Sequence, residues 1–170
     1  MEIQQALKVL ESGRNIIVTG EKHSGKTSFC RELIRQSPVG TWGGILSCTI
    51  KDGHRIVGYR LEHILSGECR TALREIPGYS TDQGGGIRFI PDEPAFQWAV
   101  QSILKDEKKH VRYICIDEIG PLELQGRGLY DSIRSLGAPK GKTYALVVRR
   151  SLLERVRETF GLSDYEIISL

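Results

Sequence analysis

An eight-residue segment near the N-terminus constrains the fold of this chain most strongly, because it has the pattern Gly-x-x-x-x-Gly-Lys-Thr. It consists of Gly20, Glu21, Lys22, His23, Ser24, Gly25, Lys26 and Thr27. The apolar run 16–18 precedes it, and residues 26–36 after it have the pattern of a helix. The segment therefore predicts a strand, a tight turn whose backbone N–H groups can cradle phosphate, and a helix with its positive end toward that phosphate.

The end of this segment carries the two side chains that such a loop uses on a nucleotide. The ammonium of Lys26 is expected to contact the outer phosphates, and the hydroxyl of Thr27 is expected to ligate Mg²⁺. Ser28, the next residue, is assigned to the same binding segment. The alternative, a glycine-rich loop that binds nothing, is disfavoured by the strand before the loop and the helix after it.

Short apolar strands alternate with helical segments along most of the chain, which predicts an α/β fold. The expected architecture is a P-loop, three-layer sandwich with a mainly parallel central sheet, formed by one domain over residues 1–170. Residues 43–62 flank a turn at 51–53 and predict an inserted antiparallel β-hairpin. The remaining predicted elements are an N-terminal helix within 1–13, strands at 15–19, 87–90, 111–116, 143–148 and 165–169, helices at 93–105 and 151–160, and a charged, solvated connection at 105–110.

Two acidic residues follow the apolar segment 111–116. Asp117 and Glu118 are expected at the carboxyl edge of the parallel sheet, where ligands bind and where the phosphate loop also lies. An aspartate in this position can hold Mg²⁺, and a neighbouring glutamate can orient or deprotonate an attacking water. The competing interpretation is that the pair caps the next turn.

The bulk composition excludes several classes of protein. The net charge of +3 comes from 24 basic and 21 acidic residues without a clustered basic stripe, so nucleic-acid binding is not indicated. The four cysteines form no Cys-x-x-Cys pair, so neither a zinc site nor a redox motif is predicted. No apolar run approaches the ~18 residues of a membrane span. We expect a cytoplasmic protein without a membrane partner.

Other nucleotide-binding classes lack their required motifs here. Residues 117–120 fit the Asp-x-x-Gly pattern of GTP switch proteins, but those proteins recognise guanine through Asn-Lys-x-Asp, and the only asparagine is Asn15. The Ser-Gly-Gly signature of transporter-type ATPases is also absent.

Three segments together resemble one known family. They are the phosphate loop at 20–27, the Gly-Gly-Ile-x-Ser start of the hairpin at 43–47, and Ile-Asp-Glu-Ile-Gly-Pro-Leu-Glu-Leu at 116–124. The chain is similar over residues 15–169 to the THEP1 nucleoside-triphosphatases, also called cancer-related nucleoside-triphosphatases. The phosphate loop is common to many families, whereas the third segment is more specific.

The resemblance implies a RecA-like protein that slowly hydrolyses ATP, GTP and other nucleoside triphosphates to the diphosphate and phosphate. It implies that Glu118 activates water, while the motif chemistry above gives Mg²⁺ as cofactor and adds Lys26 and Asp117 as catalytic residues. It leaves the role of Glu123, on the family's repeated Glu-Leu, open. The second nucleotide-facing element that it implies consists of Tyr113, Ile114, Cys115, Ile116, Asp117, Glu118, Ile119 and Gly120.

Other side chains are weaker candidates. Arg149 and Arg150 are the preferred cations for the γ-phosphate, with solvated surface arginines as the alternative, and Arg88 and Arg127 lie in glycine-rich loops. Trp42 can stack on a base or pack beneath the hairpin, and packing is favoured.

Two other functions remain open at this stage. One is a small-molecule or nucleotide kinase on the same fold, with Asp117 or Glu118 accepting a hydroxyl proton. The other is a nucleotide-gated module that binds a protein partner through the hairpin.

Overall fold

The computed structural model describes residues 3–76, 89–137 and 141–170, and its strands form one eight-stranded sheet. The strands are β1 (Ile16–Gly20), β2 (Trp42–Asp52), β3 (Arg55–His63), β4 (Cys69–Glu75), β5 (Phe89–Pro91), β6 (Tyr113–Ile119), β7 (Thr143–Arg149) and β8 (Glu166–Ser169). The helices are α1 (Ile3–Glu11), α2 (Lys26–Arg35), α3 (Glu93–Asp106), α4 (Pro121–Leu124), α5 (Tyr130–Arg134) and α6 (Leu153–Phe160). The strand order is β5-β4-β3-β2-β6-β7-β1-β8.

The half of the sheet from β2 to β8 is parallel. The strand β7 pairs with β1 and β6, while β1 also pairs with β8 and β6 also pairs with β2. Alternate residues of β6 face two separate hydrophobic clusters: Ile114 and Ile116 pack with α3, α5 and α6, whereas Tyr113 and Cys115 pack with α1 and α2. The predicted α/β sandwich with a mainly parallel sheet is therefore confirmed.

The other half of the sheet is antiparallel. The hairpin of β2 and β3 is present, but its first strand also pairs in parallel with β6, so it is built into the central sheet. Antiparallel pairing then continues to β4 and β5. The strand β4 was not predicted, because it contains three charged residues and only Ala72 is buried, so it has no apolar run. Residues 87 and 88 of the predicted strand 87–90 lie outside the described residues.

The prediction of a solvated connection at 105–110 is wrong for two of its residues. Asp106 and Glu107 are buried, and each accepts a hydrogen bond from a distant part of the chain. The backbone N–H of Gly44 donates to Asp106 Oδ2 at 2.9 Å, and the Tyr144 hydroxyl donates to Glu107 Oε1 at 3.0 Å. These carboxylates fasten the end of α3 to the sheet, which charge patterning alone does not reveal.

Two glycines allow β2 to approach its neighbours closely. A Cβ atom on Gly44 would lie 2.0 Å from the carbonyl oxygen of Cys115, and the φ of Gly44 is +98°. A Cβ atom on Gly43 would lie 2.7 Å from Asp106 Oδ2. Glycine is therefore required on both sides of this strand for β6 and α3 to pack against it.

We expect Gly44→Ala to lower the free energy of unfolding by about 3 kcal/mol or more, because the methyl group would collide with rigid backbone in addition to the positive-φ cost. Gly40→Ala is the matched control, since Gly40 has a φ of +79° with no atom within 4 Å of an added Cβ. That control should cost about 1 kcal/mol. Urea denaturation of both variants measures the difference, and equal losses would contradict the close approach.

Candidate functional site

The phosphate loop joins β1 to α2 in a tight turn. An added Cβ on Gly20 would lie 2.4 Å from Ser24 Oγ, so the loop folds back onto its own start. His23 and Gly25 have left-handed backbones, with φ of 65° and 89°. This conformation places the first N–H groups of α2, which have no partner within the helix, at the mouth of the loop.

Lys26 spans this loop. Its ammonium donates to the carbonyl oxygen of Gly20 at 3.1 Å and to that of Glu21 at 2.5 Å. Burial lowers the pKa of Lys26, and the nearby Arg149 lowers it further, while Glu118 opposes the shift. A phosphate oxygen placed here would meet a cation that already lies over the loop.

The two acidic residues lie in a β-bulge of β6 rather than beyond the end of the strand. Ile116 pairs with Leu146 and Ile119 pairs with Val148, so two residues of β6 face one residue of β7. Glu118 occupies this bulge with a φ of 70°, a conformation that costs energy for a residue with a side chain. The bulge turns the neighbouring carboxylates of Asp117 and Glu118 toward the edge where the phosphate loop ends.

Asp117 is buried and only half satisfied. Its Oδ2 accepts the backbone N–H of Ser47 at 3.1 Å, whereas its Oδ1 has no hydrogen-bond partner among the described residues. Burial raises the pKa of Asp117 to about 7, against the lowering effects of the Thr27 hydroxyl and the Ser47 N–H. A buried carboxylate oxygen without a partner, close to a threonine hydroxyl, fits the oxygen ligands that Mg²⁺ prefers.

Glu118 is held from two sides. Its Oε1 accepts a hydrogen bond from Arg149 Nη2 at 2.6 Å, and its Oε2 accepts the Ser47 hydroxyl at 3.1 Å. Arg149 is paired in register with Gly20, because β7 lies between β1 and β6. Arg149 therefore connects the base of the phosphate loop to the glutamate.

These groups surround a cleft of about 370 Å³. The cleft unites both predicted elements with residues that sequence reasoning missed, above all Ser47, which contacts both carboxylates. Ser47 ends the Gly-Gly-Ile-x-Ser segment of the resemblance, but nothing local predicts its contact with the carboxylates, because that contact follows from the pairing of β2 with β6. The lining residues are Lys22, His23, Gly25, Lys26, Thr27, Ser28, Arg31, Ser47, Cys48, Thr49, Tyr59, Asp117, Glu118, Val147 and Arg149.

Most of the predicted second element, residues 113–120, does not line the cleft. Only Asp117 and Glu118 do so, while Gly120 precedes α4 and donates its N–H to Glu123. The other members are buried in the core because both faces of β6 are covered by helices: they are Tyr113, Ile114, Cys115, Ile116 and Ile119.

Glu123 and Trp42 have structural roles. Glu123 is buried and accepts the N–H groups of Gly120 at 2.8 Å and of Leu129 at 3.0 Å, so it caps two chain turns. Burial raises the pKa of Glu123. The Trp42 ring lies in the core with its centroid 4.9 Å from that of Tyr113, which agrees with the packing interpretation and not with base stacking.

The other candidate arginines do not line the cleft or lie outside the described residues. Arg127 pairs with Glu93, and neither Arg127 nor Arg150 lines the cleft. Arg88 lies outside the described residues. Of the four candidate arginines, Arg149 is the one that the structure places beside the carboxylates.

The raised pKa of Asp117 predicts a pH-dependent stability. Between the ordinary carboxyl pKa of 3.8 and about 7, the folded protein holds a proton that the unfolded chain has lost. The contribution of this bound proton to the free energy of unfolding is therefore complete below pH 4, and it is lost as the pH rises through 7. Relative to Asp117→Asn, we expect the unmodified protein to lose up to about 1.4 kcal/mol per pH unit in this window. Urea denaturation at pH 5, 6, 7 and 8 tests this, and parallel curves would contradict the burial effect.

Comparisons with known proteins identify the family of this chain. A model of the NTPase family matches residues 15–170. The nucleoside-triphosphatase THEP1 of Methanopyrus kandleri is 28% identical over 122 residues, which are 71% of this chain and 65% of the relative's own length. The part of the chain that the structure describes contains no helix long and apolar enough to cross a membrane.

Two solved structures share the fold. The solution structure of a human cancer-related nucleoside triphosphatase superposes with a TM-score of 0.66 at 21% identity, covering 92% of this chain and 88% of that one. The crystal structure of THEP1 from Aquifex aeolicus also gives a TM-score of 0.66 at 21% identity, covering 92% and 89%. The resemblance found in the sequence is thus confirmed, and because the family model spans the phosphate loop and the bulged strand alike, this chain belongs to the NTPase family.

Proposed function

We propose that this protein hydrolyses nucleoside triphosphates to the diphosphate and phosphate, with Mg²⁺ and with low base selectivity. The observation that carries the proposal is the position of Glu118, whose strained backbone holds a carboxylate in the cleft that the phosphate loop forms. Strain of this kind persists where the surrounding structure holds a residue in place for function. Membership of the NTPase family supports the same activity.

The loop and its lysine bind the phosphates in this proposal. Backbone N–H groups at the start of α2 donate to phosphate oxygens, and the Lys26 ammonium exchanges the carbonyl groups of Gly20 and Glu21 for the outer phosphates. The charged donor strengthens these hydrogen bonds.

Thr27 and Asp117 are the residues that would hold Mg²⁺. The unpartnered Oδ1 of Asp117 and the threonine hydroxyl are both oxygen ligands at the foot of the loop. When bound, the ion neutralises charge on the phosphate oxygens. A cation at this position would favour the ionised form of the Asp117 carboxylate.

Glu118 is the general base. In the structure its two oxygens accept hydrogen bonds from Arg149 and from the Ser47 hydroxyl. A triphosphate in the loop attracts the guanidinium of Arg149, which frees Oε1 to accept a proton from water while Ser47 keeps Oε2 in place. Arg149 then supplies the positive charge that phosphoryl transfer requires.

The walls of the cleft support low base selectivity. Among the described residues, none of those lining the cleft is an asparagine or glutamine, the amide side chains that distinguish bases by paired hydrogen bonds. Binding is then dominated by the phosphates, which all nucleoside triphosphates share.

A kinase is the second candidate, because the cleft continues from the phosphate loop along β2 and β3. Thr49 and Tyr59 line this extension, and Arg31 lies beside it in a salt bridge with Glu62. A phosphate acceptor other than water would occupy this part of the cleft.

The deciding measurement is phosphate release from ATP, GTP, CTP and UTP with Mg²⁺ and no added acceptor. We expect Glu118→Gln to keep nucleotide affinity and to lower turnover by about 10² to 10⁴, the usual contribution of a general base. Glu154→Gln, at an exposed glutamate on α6, is the control and should leave turnover unchanged. Normal turnover in Glu118→Gln would move the base elsewhere, and binding without turnover in the unmodified chain would favour the kinase.

Lys26→Ala tests the phosphate-binding half of the proposal separately. Loss of the ammonium should weaken triphosphate binding by at least about tenfold, since a charge-assisted contact contributes about 1.5 to 3 kcal/mol. Lys51→Ala, an exposed lysine at the tip of the hairpin, should bind normally. Calorimetric titration with a non-hydrolysable triphosphate gives both affinities, and unaltered affinity in Lys26→Ala would refute the assignment of the loop.

A further inference from the structure

A second cleft, of about 250 Å³, lies between the end of β3 and α3. It shares no lining residue with the nucleotide cleft. Six of its lining side chains matter here: His63, Ser66, Trp98, Lys105, Asp106 and Lys109. The proposed hydrolysis of nucleotides uses none of them.

Three of these side chains form a continuous chain of hydrogen bonds. Ser66 Oγ lies 2.8 Å from His63 Nδ1, and His63 Nε2 lies 2.8 Å from Asp106 Oδ2. The carboxylate of Asp106 accepts hydrogen bonds, so Nε2 carries the ring proton and Nδ1 is left to accept. The N–H of Glu68 donates to Ser66 Oγ at 3.2 Å, so the hydroxyl proton is free to point at His63 Nδ1.

The three side chains become progressively more buried from Ser66 through His63 to Asp106. Ser66 is exposed, the His63 side chain is 10% exposed, and the Asp106 side chain is completely buried. Asp106 is fixed by the N–H of Gly44 at 2.9 Å and by Lys109 Nζ at 3.2 Å. The buried Asp106 carboxylate therefore holds the imidazole in one orientation, and the serine hydroxyl lies at the end of the hydrogen-bonded chain that solvent can reach.

We propose that Ser66 is the nucleophile of a second active site, which hydrolyses small carboxylic esters. His63 is its general base, and Asp106 is a positioning residue that holds the imidazole in the required tautomer. A nucleophile in contact with a base that a third group orients is the arrangement that acyl-transfer enzymes of unrelated folds share.

The reaction proceeds in two balanced steps. Ser66 Oγ attacks the ester carbonyl carbon while its proton moves to His63 Nδ1, and the C–O bond to the alcohol breaks as the alcohol takes up that proton. Water then attacks the acyl-serine and gives a proton to His63, which returns it to Ser66 Oγ as the carboxylic acid leaves. The reaction consumes one water per ester and needs no other reactant.

The walls of the cleft define the class of ester. The volume admits a compact acyl group, and the Trp98 ring, with its centroid 6.4 Å from that of His63, gives an apolar wall. Lys105 also lines the cleft, and its ammonium is the group that can donate to a carbonyl oxygen that becomes negative during attack. Small aryl and alkyl esters meet these requirements.

The test uses the full chain with two probes. A fluorophosphonate should form an Oγ–P bond at Ser66 and release fluoride, and peptide mapping by mass spectrometry locates the label. Ser66→Ala should abolish labelling. Ser163→Ala, at an exposed serine whose hydroxyl donates a hydrogen bond to Asp164, should leave the rate of labelling unchanged. No labelling, or labelling confined to another residue, would overturn the proposal.

The second probe, p-nitrophenyl acetate, separates the roles of the other two residues. His63→Gln should lower the rate by about 10² to 10⁴ in a variant whose thermal melting shows that it is folded. Asp106→Asn keeps an oxygen that can accept the N–H of Gly44. If Asp106 positions the imidazole, this variant should have a lower kcat and an unchanged KM. If Asp106 has only a structural role, kcat of the folded variant should equal that of the unmodified chain. Where His63→Gln does not fold, Ser66→Ala decides, and hydrolysis equal to that of the unmodified chain refutes the second site.

Discussion

The burial of the Asp117 carboxylate is the constraint on which the nucleotide site depends. A charge in the interior is costly unless it is paired. Here one oxygen accepts the N–H of Ser47 and the Thr27 hydroxyl is close, but Oδ1 has no hydrogen-bond partner among the described residues. The pairing of β2 with β6 supplies that N–H, and the bulge in β6 turns the carboxylate to the edge of the sheet. A cation bound at this edge of the sheet can compensate the negative charge of the Asp117 carboxylate.

Much of the fold was predictable because its signals are local. The strands β1 and β7 are buried and mainly apolar, and Gly25-Lys26-Thr27 marks the start of α2 by the chemistry of its loop. Asp117 and Glu118 were predicted for the same reason, since acidic residues directly after an apolar strand lie at the ligand-binding edge of a parallel sheet. These features depend on residues within a few positions of one another.

The partners of these residues were not predictable, because they come from distant parts of the chain. Ser47 contacts carboxylates 70 and 71 positions away, and the contact exists only because β2 pairs with β6. The bulge was also missed, since a run of apolar residues followed by acids predicts a strand end and not a local change of register. Asp106 looks like a solvated charge in the sequence, and its burial depends on the absence of a side chain at Gly43 and on the hydrogen bond from the Gly44 N–H.

The strand β2 has a consequence for how this protein can change. Its Gly44 N–H fixes Asp106, and three residues later its Ser47 N–H fixes Asp117. The two clefts therefore share one stiff backbone segment, and neither can be reshaped by moving that segment without disturbing the other. Changes to either cleft that leave this segment in place are therefore changes of side chains, on β2 itself or on neighbouring elements such as α2 for one cleft and the loop between β3 and β4 for the other.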